Sequence, residues 1–336
     1  MKKILFMIAC CLMATAQNVF ADDYGKVFLQ HNGNITGVFD GSDISKSIEA
    51  AVDGDTLFLS LGRFNGNLTI NKSICLIGSG AEAGSDSQRS TYIDWGCNPR
   101  IDAGNGKILS SVTIEGIYSG PGFYAQGKIE NLVFKKCYIS NTLGISDNSN
   151  GGYTKKAIID RCRLDNISTD GNIQDATIKN CKIYRVYGQG GQSISACKFI
   201  NCNIWQVNSN TKAMFVNSII NQVNDGTDSY LSSQSLLVNT LYHNMNGYDP
   251  MQNCSQQDCW SSTETLIRND GNYNCSLTAD QLKEAGYLGT DGTIIGCEGG
   301  VNPYSLVRHA PVITQKGTKV DLDNKKVIIN VNVTAK

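Results

Sequence analysis

A short phrase recurs along the middle of the chain: an apolar residue, one or two polar residues, a small residue, one further residue, and another apolar one. It reads Ile114-Glu-Gly-Ile117, Phe134-Lys-Lys-Cys137-Tyr-Ile139, Ile159-Asp-Arg-Cys162-Arg-Leu164, Ile178-Lys-Asn-Cys181-Lys-Ile183 and Ile200-Asn-Cys202-Asn-Ile204. It continues as Val216-Asn-Ser218-Ile-Ile220 and Val238-Asn-Thr240-Leu-Tyr242. Equivalent positions fall at 117, 137, 162, 181, 202, 218 and 240, between 16 and 25 residues apart. A unit this short cannot bury its own apolar side, so it must stack on copies of itself. Each unit alternates apolar and polar with a spacing of two, the period of a strand. None holds a helix-length amphipathic run, which excludes repeats of strand plus helix. Short strands at this period, joined by Asn- and Gly-rich turns, predict an all-β chain whose successive coils form a parallel β-helix.

The chain opens with Met1-Lys-Lys, an apolar stretch from Ile4 to Ala14, and a small-residue exit at Ala21. This pattern predicts a secretory signal peptide over residues 1–21. Cys10 makes a lipid-anchored variant conceivable, although Met7 suits that signal poorly. No later run is long enough to span a bilayer. The expectation is a protein that is secreted, periplasmic or held at the cell surface. Losing Lys2 and Lys3 leaves 27 of the 29 basic residues against 30 acidic ones, a net charge of −3. That balance gives no reason to expect nucleic acid as a partner.

Of 13 cysteines, Cys10 and Cys11 leave with the signal. Cys137, Cys162, Cys181 and Cys202 hold the same place in successive repeats. Stacked strands lie about 4.8 Å apart, whereas a disulfide needs Cβ atoms about 3.8 Å apart with a defined twist. These four therefore read as buried free thiols filling a narrow interior. Metal sites favour Cys-x-x-Cys clusters and His, and the chain has three His and no such cluster, so no metal site is expected. Cys254, Cys259, Cys275 and Cys297, in polar or turn-rich surroundings, are the better disulfide candidates.

Ahead of the repeats, residues 43–52 have helical spacing, with Ile44, Ile48 and Val52 on one side and Asp43 as N-cap. The run Ser47-Ile-Glu-Ala-Ala-Val-Asp-Gly-Asp-Thr-Leu-Phe-Leu59 follows, then Gly62-Arg-Phe64, Leu68-Thr-Ile-Asn-Lys-Ser-Ile-Cys-Leu-Ile-Gly78 and Tyr92-Ile-Asp94. This run resembles the N-terminal start of right-handed parallel β-helix proteins of the pectin-lyase-like superfamily, of exported bacterial type. With the repeats, the resemblance covers about residues 40–245. It implies a right-handed solenoid with an N-terminal helix cap. Its bearing on activity is slight, because this architecture hosts lyases, hydrolases, adhesins and binding proteins.

Residues 278–285 read as a short Thr-capped helix, and residues 289–296 as turns. Residues 320–333 alternate on both sides of Asp323-Asn324, a hairpin signal. The expected organisation is a signal over 1–21, a β-helix with its N-terminal cap over 22–275, and a C-terminal strand and helix cap over 276–336.

The residue before each small position is Lys136, Arg161, Asn180, Asn201, Asn217 or Asn239. The Asn run suits left-handed turns, with amides bonding along the stack. Outward positions at rung spacing also gather Arg161, Arg163, Lys182, Tyr184 and Trp205. Basic residues could track a uronic-acid chain and aromatics could support sugar rings, so these five form the candidate substrate-binding surface for a polysaccharide. The competing readings are a solvated charged face and aromatics covered by a loop. Three functions follow: recognition, with or without processing, of a glycan; a lyase or glycoside hydrolase; and a non-enzymatic surface protein that docks a cell-surface partner. Catalytic residues stay unassigned. A lyase would need carboxylates for Ca²⁺, with Asp94, Asp102 and Glu115 the nearest; otherwise no cofactor is expected. A hydrolase would need a carboxylate pair, for which Asp160 and Asp175 are available.

Overall fold

The computed structural model describes residues 24–82, 90–104, 106–145, 151–169, 172–188, 195–223, 229–244 and 248–307, and the strands Val312–Asp321 and Lys326–Thr334. The expected signal peptide, Cys10 included, falls on residues outside them.

The described residues form a parallel β-solenoid of about nine turns, and 6% of them are helical. Two long sheets of 12 and 13 strands run its length, and a third of four strands closes part of the perimeter. One representative turn passes through Leu132–Lys135 of the first sheet, Tyr138–Gly144 of the second and Tyr153–Lys155 of the third. The next enters the first sheet at Ile158–Asp160.

Register is set by the interior. In the first sheet Leu57, Leu76, Ile114, Phe134, Ile159, Ile178, Phe199, Phe215 and Leu237 stand directly over one another. All nine are fully buried. Ile139, Leu164, Ile183, Ile204 and Ile220 form the facing column in the second sheet. Each such side chain contributes about 1.5–3 kcal/mol by leaving water, against about 1 kcal/mol net for one ladder hydrogen bond. A one-residue slip would turn a whole column outward, so packing rather than the ladder fixes the alignment.

The corner between the first and second sheets is a single left-handed residue per turn. Gly116, Lys136, Arg161, Asn180, Asn201, Asn217, Asn239 and Asp258 all have φ between 45° and 68°. The Asn run therefore sits where the sequence placed it. A second left-handed column, Asn131, Lys156, Asp175 and Ala196, makes the corner leading into the first sheet. The small residue after the first corner points inward. Cys181 Sγ donates to the Lys179 and Ile159 carbonyls (3.1 and 3.6 Å), and Cys202 Sγ to those of Ile200 and Ile178 (3.4 and 3.5 Å). Ser218 and Thr240 donate the same pair of bonds through hydroxyls. The repeated residue is thus a small donor that serves the carbonyls of the bend, which is why Cys, Ser and Thr alternate there.

Three local expectations need correction. Cys254, Cys259, Cys275 and Cys297 are all unpaired. Cys259 follows the left-handed Asp258 and donates to the Gln257 carbonyl, so it is simply the next corner donor. Cys254 packs on the core and donates to the Leu231 and Ser232 carbonyls, while Cys297 is fully buried. The early helix α1 is shorter than its periodicity, Ser45–Ala50, because Ala51 is already extended. Ile44 and Ile48 enter the core, but Val52, past the helix end, is 50% exposed. Asp43 is not the N-cap; it accepts from the Ser45 N–H at 3.2 Å, one residue into the helix.

The C-terminal helix α2, Ala279–Glu284, has the expected Thr278 cap, closed reciprocally by Gln281. The hairpin Val312–Asp321 with Lys326–Thr334 also forms, and Asp321 pairs Lys326 across its turn.

Substitutions at Cys162 test the corner. Cys162→Ser keeps the donor and is expected to cost about 1 kcal/mol or less. Cys162→Val removes it and crowds the bend, at about 1–3 kcal/mol. Cys162→Arg buries a charge without a partner and should abolish cooperative folding. Urea unfolding followed by circular dichroism gives the order.

Candidate functional site

The outward face of the second sheet carries one residue per turn in strict register: Arg63, Tyr92, Tyr118, Tyr138, Arg163, Lys182, Asn203, Ile219, Leu241 and Trp260. The expected ligand surface belongs to this face. Its later turns are occupied by the chain's own residues 264–307, which cross them twice.

The first pass descends the stack. Asn221 Oδ1 accepts from the Leu266 and Ile267 N–H groups at 2.9 and 3.2 Å. Asn203 Nδ2 donates to the Tyr273 carbonyl, and the Lys182 ammonium donates to Asn274 Oδ1. The Arg163 guanidinium donates to Asn272 Oδ1 at 3.0 Å and to the Gly271 carbonyl. After α2, the second pass descends along the left-handed corner. Asn239 Nδ2 donates to the Leu288 carbonyl at 3.1 Å, and Asn217 exchanges bonds with Thr290. Asn203 Oδ1 accepts from the Cys297 N–H, and Asn180 Nδ2 donates to the Gly299 carbonyl at 2.8 Å. Lys136 Nζ reaches the Val307 carbonyl at 2.7 Å. The corner amides therefore bond sideways to this strap, while the corner backbone N–H groups bond along the stack. Two strap glycines, Gly296 and Gly300, have positive φ and lie so close to Asn203 and Asn201 that a Cβ would come within 2.6 Å of them.

This strap decides where the five sequence-picked residues go. Tyr184 stacks between Trp205 and Tyr273, with ring centroids 6.5 and 5.4 Å away. Both aromatics are half-buried in a satellite core with Ile219, Leu241, Leu266 and Leu282. Arg163 lies over the Tyr138 ring at 4.1 Å, and Lys182 over the Tyr304 ring at 4.5 Å. Arg161, at a corner, pairs with Asp160 at 2.7 Å. Four of the five are thus gathered under or against the strap, and Arg161 stands apart from them. Loop cover, weighed for the two aromatics, is what the structure has, supplied from residues 264–307.

The carboxylates weighed for chemistry are separately engaged. Burial works to raise Asp94, but hydrogen bonds from the Arg63 guanidinium, the Trp95 N–H and the Tyr92 hydroxyl hold it below the usual carboxylate range. Asp102 accepts from Gln126 Nε2 and the Gly104 N–H. Glu115 pairs with Lys135 at 3.5 Å on the first sheet. Asp160 belongs to the first sheet, and Asp175 is a turn residue of the second corner. Among the described residues, no group of three or more His, Cys, Asp or Glu side chains is placed to hold a metal. None of the described helices is long and apolar enough to cross a membrane.

The earlier turns of the same face, beyond the strap, are different. Trp95 is 58% exposed and lies over Gly120, where a Cβ would come within 2.9 Å of the indole Nε1. Tyr124, 36% exposed, lies across Gly122 and Gly144, with Cβ distances of 3.0 and 2.9 Å. Gly120 and Gly122, two residues apart, thus each lie under one exposed aromatic ring. Arg100 is exposed and stands next to Tyr124 in register. The Asp102–Gln126 pair follows two residues further along the same two strands. Sequence reading passed over Trp95 and Tyr124 because neither falls in the repeat phrase. Their signal was the glycines on neighbouring rungs.

Compared with protein-family models, with curated proteins and with solved structures, the chain finds no match in any of the three.

Two outcomes test the strap. Asn221→Ala orphans two buried N–H groups at about 1–3 kcal/mol each, so hydrogen exchange should accelerate at 266–267 before it does in the core columns. Asp165 is half-buried and accepts from the Tyr273 hydroxyl at 3.3 Å. Burial raises its carboxyl above the usual value despite Arg163. The folded state then binds this proton more tightly than the unfolded state. Ionisation therefore costs stability at neutral pH, and the cost is relieved as pH falls through the folded pKa. Asp165→Asn should raise Tm at pH 7, and its advantage should shrink on acidification and vanish below about pH 3.9, the unfolded value.

Proposed function

We propose that this chain is an exported β-helix protein of pectin-lyase-like type that binds polysaccharide on the open turns of its second sheet. The carrying observation is the exposed pair Trp95 and Tyr124, seated on glycines with polar side chains around them. Sugar rings present flat C–H faces that pack on aromatic rings, while their hydroxyls suit amide, guanidinium and carboxylate partners at the rim. The leader-like N-terminus and the run from Ser47 to Asp94 support export and the family reading. Binding, rather than cleavage, is the reading supported, since each carboxylate considered is engaged in a pair or a turn. The basic residues first considered for an acidic glycan are also engaged. Stacking then outweighs charge, and the affinity should depend only weakly on salt.

A glycan array on the full chain, followed by calorimetric titration of the best hit, tests this. Trp95→Ala should weaken binding about tenfold or more, equivalent to about 1.4 kcal/mol, with Tm unchanged. Trp205→Ala should do the reverse, lowering stability by about 3 kcal/mol through the satellite core and leaving affinity intact. Unchanged binding in Trp95→Ala would remove the reading.

A further inference from the structure

Strand β1 (Lys26–His31) and strand β2 (Asn34–Asp40) form an antiparallel hairpin, and β2 is the end member of the 12-stranded sheet. Among the described residues its outer edge pairs with nothing. Asn34, Ile35, Thr36, Val38 and Asp40 are exposed, Val38 to 60%. The strand has no Lys or Pro, the residues that usually protect an edge, and its Asp40 is held by Lys26. Further along the chain, Val312–Asp321 and Lys326–Thr334 pair, among the described residues, only with each other. A two-stranded ribbon alone is marginal in water and gains most from a third strand.

The geometry points to a head-to-tail interface in which the Lys326–Thr334 strand of one copy adds to the β2 edge of a second. In the antiparallel register that sets Lys326 opposite Asp40, Ile328 meets Val38 and Val331 meets Ile35, so apolar positions coincide and the two charges oppose. The same chain cannot supply the strand. Its strap is fixed at Lys136, beside the strand Leu132–Lys135, five strand steps from β2. The first hairpin strand would have to sit two steps further out, about 34 Å away at 4.8 Å per step. The five residues from 308 to 312 extend about 18 Å at most. Pairing therefore occurs between copies. Because it joins unlike surfaces, it propagates unless rotation closes a ring. It is independent of the glycan reading.

Light scattering on the full chain across a wide concentration range tests it. The mass should rise above that of one copy as concentration increases. Val38→Lys and Ile329→Pro should each hold the mass at one copy with Tm unchanged, and Ile35→Lys serves if Val38→Lys misfolds. Under oxidation, Val38→Cys chains mixed with Ile328→Cys chains should give a covalent heterodimer that neither yields alone. A single-copy mass at every concentration, association that survives both edge and hairpin substitutions, or no heterodimer would overturn the interface.

Discussion

Everything in this molecule hangs on one residue per turn held at positive φ. That residue bends the chain between the two long sheets, and the bend turns two carbonyls toward a place where water cannot reach. The following Cys, Ser or Thr donates to them from inside. The turn can then close without an orphaned acceptor, and identical turns stack. The apolar columns supply most of the free energy, but they could not align without a bend that repeats at one angle.

The same bend exports its own side chain. At φ near 50° the Asn amides emerge along one edge, a strand spacing apart, and become a row of donors and acceptors for any extended backbone beside them. The strap uses that row, which explains why a segment with little secondary structure of its own is held against the sheet. Its apolar side supplies Leu266, Leu282 and Ile295, closing a second core outside the solenoid.

The repeat, the buried thiols, the left-handed Asn corner, the Thr278-capped helix and the terminal hairpin were all legible, because each is written within about twenty residues. What was not legible depends on long-range contact. Nothing near Asn180 announces that its amide serves Gly299, 119 positions later. For the same reason the sequence left Tyr184 and Trp205 open between a platform and a loop-covered pair, since outward alternation is identical whether water or a strap lies beyond. Cys259 read as a disulfide candidate because its loop hides the phase of the repeat. Val52 failed for a local reason, the extended Ala51 that ends the helix early. Trp95 was missed because exposure there is set by glycines on other turns.

Solenoids commonly lengthen by duplicating a turn, since each turn meets only its neighbours. This one has lost that freedom. Its strap touches five of the six successive corners from Asn239 back to Lys136, all but Arg161, at positions fixed along a single piece of chain. An inserted turn would put every later corner out of step with its anchor, and a deleted one would leave strap residues facing the wrong amides. The final segment acts as a ruler, so the number of turns in this stretch can change only when the tail changes with it.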